Sequence, residues 1–378
     1  MTGLTTCPYV AVRDPDAVRE VLHRPLDFGP ANALIAVTPL SGQAMRMLQH
    51  VGFALPPVLA SNNTDSHAGI RKVVAAYLTP ATVASTEPRI RELARESAAR
   101  AAEQLNSSAQ VELVQAVAAF PPAVIMLELL GLPVRDLARL KSWSIDSLEL
   151  FWGCPDQARQ LELAAGAADF YSWLRELVLA SVDAPGRNLF KSLAGHGLST
   201  LEICSLGFFL LIAGQETTTQ LISTALFRLA AGSGTVSWDE AATEAGARAT
   251  VRAVLAAESP VPTWRRVATE DTLLGDQLIP AGAEILLELT GNHSNHGNHS
   301  SHGNPAVSHA YSLAFGSGIH RCLGAGLAEL EATVIVQETA ASLPGIRLQD
   351  QQPDWIRLLS FQAPRTVLIA HPPSPSVA

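Results

Sequence analysis

A chain of 378 residues is long enough to bury a large core, and 48% hydrophobic with 16% charged residues is the composition of a soluble globular protein. The formal charge of −9, from 26 Lys and Arg against 35 Asp and Glu, argues against a nucleic-acid partner, because phosphate binding needs a dense basic surface. Cys7, Cys154, Cys204 and Cys322 are too scattered for a disulfide framework or zinc knuckle, and the apolar stretch Leu206 to Ala213 falls far short of the roughly 20 residues that span a bilayer, so a cytoplasmic protein without membrane contact is expected.

In chain order, Pro8 to Val12 reads as a short strand and Asp14 to Leu22 as a helix opened by an Asp cap and an early Pro. Residues 27–63 are rich in Gly, Pro and small side chains, which predicts a long loop with short helical pieces that lines a ligand pocket. Helical spacing then recurs over Ser66 to Leu78, Pro88 to Leu105, Leu113 to Leu130 with a break at Pro121-Pro122, Asp136 to Leu150 and Asp156 to Ala184. A long apolar helix over Leu201 to Leu229 carries an unexpected polar cluster, Gly214-Gln-Glu-Thr-Thr-Thr219. One helix from Asp239 to Ala257 follows. Alternation and turns over Arg266 to Leu289 predict a small sheet, and residues 291–304, all His, Asn, Gly and Ser, read as a low-complexity loop.

The most informative stretch is Ala314-Phe-Gly-Ser-Gly-Ile-His-Arg-Cys-Leu-Gly-Ala-Gly326, followed by a helical pattern over Leu327 to Ser342. Cys322 thus falls at or just before a helix N-terminus, where unpaired N–H groups and the helix dipole favour a thiolate. Gly316, Gly318 and Gly324 let the backbone turn sharply and approach a flat ligand.

These residues resemble the cytochrome P450 superfamily, whose heme signature Phe-Gly-x-Gly-x-His-x-Cys-x-Gly is matched at every fixed position from Phe315 to Gly324. The resemblance implies a mainly α fold with a minor β region, a heme b (iron-protoporphyrin IX) cofactor, and Cys322 as the thiolate ligand of its iron. Ala213-Gly-Gln-Glu-Thr-Thr218 matches the family's central-helix motif. There Ala213 and Gly214 form a groove for dioxygen, while Glu216 and Thr217 deliver the two protons needed to split an oxygen–oxygen bond in a dry pocket. On their own, the threonines read as hydroxyls bonded back to helix carbonyls. His67 and Arg71 lie four residues apart on one helical face; with Arg266 and His320 they match positions that hold the heme propionates.

The chain also departs from the family. The Glu-x-x-Arg pair falls on Ala253 and Ala256, and no arginine lies between Ala268 and Ile319 to complete the usual buried triad. Joint loss of all partners is compatible with folding, whereas loss of one would cost about 3–5 kcal/mol. The first helix and leading strand of the family are expected to be missing. His293, His296, His299 and His302 repeat every third residue, a spacing open to a metal site but read as a solvated loop. A single domain over residues 1–378 is expected, N-terminally short. The function implied is monooxygenation of a small or carrier-tethered organic substrate in bacterial natural-product biosynthesis, with electrons from a ferredoxin and its reductase. The alternatives are a non-catalytic scaffold for another biosynthetic enzyme, or a heme enzyme that uses peroxide or performs coupling or rearrangement.

Overall fold

Helix starts follow from local capping chemistry. Asp14 accepts hydrogen bonds from the Asp16 and Ala17 amides and places Pro15 at the first turn of α1 (Pro15–His23), after strand β1 (Val10–Val12). The computed structural model describes residues 9–290 and 313–371. After β2 (Phe28–Gly29) come α2 (Gly42–His50), α3 (Ser66–Ala75) and α4 (Pro80–Ser108). The predicted start of α4 at Pro88 is corrected: Thr79 caps the helix, Pro80 opens it, and Pro88 sits inside at the cost of one backbone bond in a 29-residue helix.

Strand β3 (Gln110–Glu112) leads into a π turn (Val114–Ala118), and Pro121 opens α5 (Pro121–Leu129) as the Pro-Pro break foretells. Then follow α6 (Leu137–Trp152), α7 (Gln157–Asp183), α8 (Leu189–Gly195) and α9 (Thr200–Ala230). A reciprocal Ser199/Glu202 capping box starts α9. The polar cluster does not interrupt it: the helix runs through 31 residues with Gln215, Glu216, Thr218, Thr219 and Gln220 all buried.

The single helix predicted over Asp239 to Ala257 is corrected to two, α10 (Trp238–Ala241) and α11 (Glu244–Glu258). Thr243 caps the second, and Gly246 packs so closely that a Cβ there would lie 2.1 Å from the Glu240 carbonyl oxygen. Strands β4 (Thr263–Ala268), β5 (Thr272–Leu274), β6 (Gln277–Ile279) and β7 (Glu284–Glu288) are the predicted late β region. The sheet reaches further than predicted, since β1 joins β7 in parallel and β2 joins β4 antiparallel, giving the order β1-β7-β4-β2. Beyond the Cys segment lie α12 (Ala325–Ser342), β8 (Arg347–Leu348), β9 (Trp355–Arg357), β10 (Gln362–Pro364) and β11 (Leu368–Ala370).

Two apolar cores result. The larger joins α4 to α9, α11 and α12; the smaller packs Val18, Val21 and Leu22 of α1 on Phe28, Ile285 and Leu287 of the four-stranded sheet. Trp264 and Val261 touch both, and these two residues also line a cavity. No described helix is long and apolar enough to cross a membrane. The histidine repeat and Cys7 lie outside the described residues.

Candidate active site

The cavity has a volume of about 270 Å³ and a mostly apolar wall. Its long side is α9, where Leu206, Leu210, Ala213, Gly214, Thr217 and Leu221 recur at three and four and so share one face. Val58, Leu59 and Ser61 of the 27–63 loop, Trp264 and Phe361 also line it. The 27–63 loop lines the pocket as its composition predicts.

The Cys segment also lines the cavity and is folded by two glycines with positive φ. Gly316 has φ +66° and Gly318 has φ +70°; a Cβ on Gly318 would also sit 2.4 Å from the Leu22 carbonyl oxygen. Gly324, with φ −88°, needs no such freedom. The Phe315 carbonyl accepts the Cys322 amide at 2.9 Å, closing a tight loop that leads into α12. Cys322 is accessible through the cavity it lines, although the protein packed around it desolvates its sulfur. Here one expectation is corrected. Burial pushes the Cys322 thiol up, and this outweighs the lowering by the Gly324 amide, Arg71 and Arg321.

Five basic side chains line the same cavity: His67, Arg71, Arg266, His320 and Arg321. Trp264 and Arg266 project from one face of β4, two residues apart, while Arg265 turns away to the Ala33 and Ile35 carbonyls. Arg266 is only 2% exposed; it donates to the Arg265 carbonyl at 2.8 Å, and among the described residues no carboxylate pairs with it. Burial lowers its pKa to about 10, which leaves it charged at neutral pH. Arg71, half-buried on α3, donates to the Arg321 carbonyl at 2.6 Å and likewise meets no carboxylate.

His67, one turn before it, is buried with Nε2 unpartnered, and its ring meets that of His320 edge-on at 4.9 Å. Since a carbonyl only accepts, His320 donates Nε2–H to Asn62 O at 2.8 Å, which leaves Nδ1 bare. Burial pushes His320 down to about 4, and Arg266, His67 and Arg71 add to the shift. An anion entering here would reverse that shift.

Thr217 faces the cavity and donates to the Ala213 carbonyl at 2.6 Å, so the back-bonded hydroxyl and the cavity-facing hydroxyl are the same atom. Glu216 does not line the cavity. It turns toward α6, where Lys141 Nζ lies 2.6 Å from its Oε1 and 3.0 Å from Thr219 Oγ1, with both ionic side chains buried. Lys141 was missed in the sequence, although a lysine on the buried stripe with Ser144, Leu148 and Trp152 is a readable anomaly. Met126, also missed, fills the notch at Gly214 from α5. Ala256 is buried and Ala253 exposed on α11, so neither position carries charge into the framework.

The fit to a heme is favourable on this geometry. The wall offers a soft sulfur ligand together with cations and imidazoles that meet no carboxylate among the described residues, which two carboxylates would satisfy.

Comparisons with known proteins identify the family. A family model described as "Cytochrome P450" matches residues 248–339. The chain is 31% identical over 298 residues to the erythromycin C-12 hydroxylase of Saccharopolyspora erythraea, covering 76% of this chain and 73% of that one. It is 28% identical over 309 residues to the cytochrome P450 monooxygenase PikC of Streptomyces venezuelae, covering 78% and 71%. Among solved structures, cytochrome P450 CREJ in complex with (4-ethylphenyl) dihydrogen phosphate superposes with a TM-score of 0.87 at 25% identity, covering 97% of this chain and 92% of that one.

Proposed function

The chain belongs to the cytochrome P450 family of monooxygenases, and from that membership we propose that Cys322 ligates the iron of a b-type heme whose propionates meet Arg266, Arg71, His67 and His320. One observation carries this reading: a single cavity is lined by a sulfur and by basic side chains, His67 and Arg266 buried among them, that no carboxylate neutralises among the described residues. When bound, the heme supplies the activation of dioxygen and the transfer of one of its atoms to a substrate.

The chain's own residues then have distinct tasks. Phe315, Gly316 and Gly324 shape the loop that presents the Cys322 sulfur, and the Cys322 amide bond to Phe315 O keeps that loop closed. Ala213 keeps the α9 wall thin, while Gly214 makes room for Met126. Thr217 holds a hydroxyl inside the cavity, and Glu216 sits one residue away on the Lys141 side. Protons reach the cavity by Glu216 turning from Lys141 while Thr217 exchanges its bond to Ala213 O for one to a water, which makes Thr217 the donor at the reacting end. The apolar wall of Leu206, Phe209, Leu210 and Trp264 excludes bulk water and orients the substrate through contact area.

That wall fits a small, largely uncharged organic molecule, free or tethered to a carrier. Similarity to the erythromycin C-12 hydroxylase and to PikC supports a substrate from bacterial natural-product biosynthesis. We further assign the protein to the cytoplasm, as one catalytic domain that receives electrons from a ferredoxin and its reductase.

The test is the absorption spectrum of heme-loaded protein, reduced and exposed to carbon monoxide, beside Cys322→Ala. A red-shifted thiolate-type Soret band that vanishes in the variant is expected. A band that persists in the variant refutes Cys322 as ligand, and failure of the wild type to take up heme favours a scaffold role.

A further inference from the structure

Met126 stands out among the cavity residues because its side chain is built into the α9 wall. A Cβ placed on Gly214 would lie 1.8 Å from Met126 Cε and 3.0 Å from its Sδ, so the thioether occupies the space that the missing side chain leaves. The residue is 4% exposed and lines the same cavity as Thr217 and Cys322. Its aliphatic neighbours in that wall, such as Leu78 and Leu210, offer only C–H bonds; a thioether is softer and more easily oxidised.

We propose that Met126 is an internal oxidation site, at which the enzyme's own oxygen chemistry converts the thioether to a sulfoxide when no substrate fills the cavity. This rests on the monooxygenase reading above. The balance is that of the normal reaction with sulfur in place of carbon. One atom of dioxygen forms the S–O bond, and the other leaves as water after taking two protons, with two electrons supplied by the ferredoxin-type donor. The product is polar and larger than the thioether, and the Gly214 notch is already filled. Oxidation therefore forces the side chain out of the notch into the cavity, or displaces α9 at Gly214, and either one limits enzyme lifetime in wasteful turnover.

The chain carries its own control. It has four methionines, and Met45 on α2 is 46% exposed while Met126 is buried, so an oxidant that diffuses through solvent strikes Met45 first. The experiment uses heme-loaded full-length protein with a plant-type ferredoxin, its reductase, NADPH and oxygen, without substrate, and with catalase to remove free peroxide. Peptide mass mapping should show a gain of about 16 Da, one oxygen atom, on the Met126 peptide ahead of the Met45 peptide. Hydrogen peroxide added to heme-free protein should reverse that order. Met126→Leu should load heme as the wild type does and lose the modified peptide.

An unmodified Met126, or a Met126 oxidised only in step with Met45, overturns the proposal. The carbon monoxide spectrum, recorded on the same sample before turnover, reports separately on the reading beneath it. A normal spectrum with an unmodified Met126 refutes this inference alone.

Discussion

Arg266 and Glu331 are both almost fully buried, at 2% and 1% exposed, and neither has an ionic partner among the described residues, yet they call for opposite explanations. Arg266 on β4 faces the cavity. Even after burial lowers its pKa to about 10, it stays charged at neutral pH, so only an anion can relieve it. Glu331 on α12 lies away from the cavity wall, and burial raises its pKa well above the ordinary carboxyl range. It escapes its orphan state by binding a proton. A buried group that cannot neutralise itself beside a cavity therefore points to a ligand, while one that can, inside a packed helix face, does not.

The Lys141–Glu216 pair sharpens that contrast because it is the partnered case. Lys141→Met leaves the Glu216 carboxylate buried and unpaired, and should lower stability in chemical denaturation by about 3–5 kcal/mol. Lys141→Met with Glu216→Gln should recover most of that loss. If the double variant is no more stable than the single, the two groups are not energetically coupled and the comparison fails at its reference point.

Arg266→Leu comes next in size. Losing one charge-assisted contact worth about 1.5–3 kcal/mol should weaken heme binding by about 10- to 100-fold in Soret titrations. The same change should stabilise heme-free protein by removing an unpaired buried charge. A variant that loses stability without heme and keeps its heme affinity would make Arg266 a structural residue.

Glu331→Gln should act on stability alone, and the size of its effect grows with pH. The folded pKa is raised, so the stability linked to this proton is fully present below the ordinary carboxyl pKa and declines as pH rises toward the folded value, by up to about 1.4 kcal/mol per unit. Thermal melts should show Glu331→Gln gaining on the wild type at pH 7–8 and converging with it near pH 4. Parallel melting curves across that range would mean that Glu331 holds no extra proton.

Much of this arrangement is legible in the sequence because it rests on local or motif-level signals. The caps at Asp14, Ser199 and Asp156, the Pro121-Pro122 break and the Phe315 to Gly324 loop each state their structure within a few residues. The illegible parts are long-range. Pro88 reads as a helix start because Pro is favoured there, and only the Thr79 cap shows that the helix is already under way. The division at Thr243 depends on Gly246 meeting the Glu240 carbonyl.

The site shows the same split. Cys322, Thr217, His67, Arg71, Arg266 and His320 are found by pattern, and the structure gathers all six around one cavity. The direction of the Glu216 side chain needs Lys141 from another helix, and the Met126 contact with Gly214 has no sequence signal beyond a methionine in an apolar run. Helix-end electrostatics predict a lowered thiol at Cys322, but a tertiary property, burial, reverses the direction.

The central claim is that the unpaired cations at the cavity edge await the carboxylates of a heme. The most direct measurement compares uptake of heme with uptake of heme dimethyl ester, which lacks the propionate charges, by wild type and Arg266→Leu. Wild type should bind heme at least about tenfold more tightly than the ester, and the preference should shrink in the variant. Equal uptake of heme and ester by the wild type would contradict it.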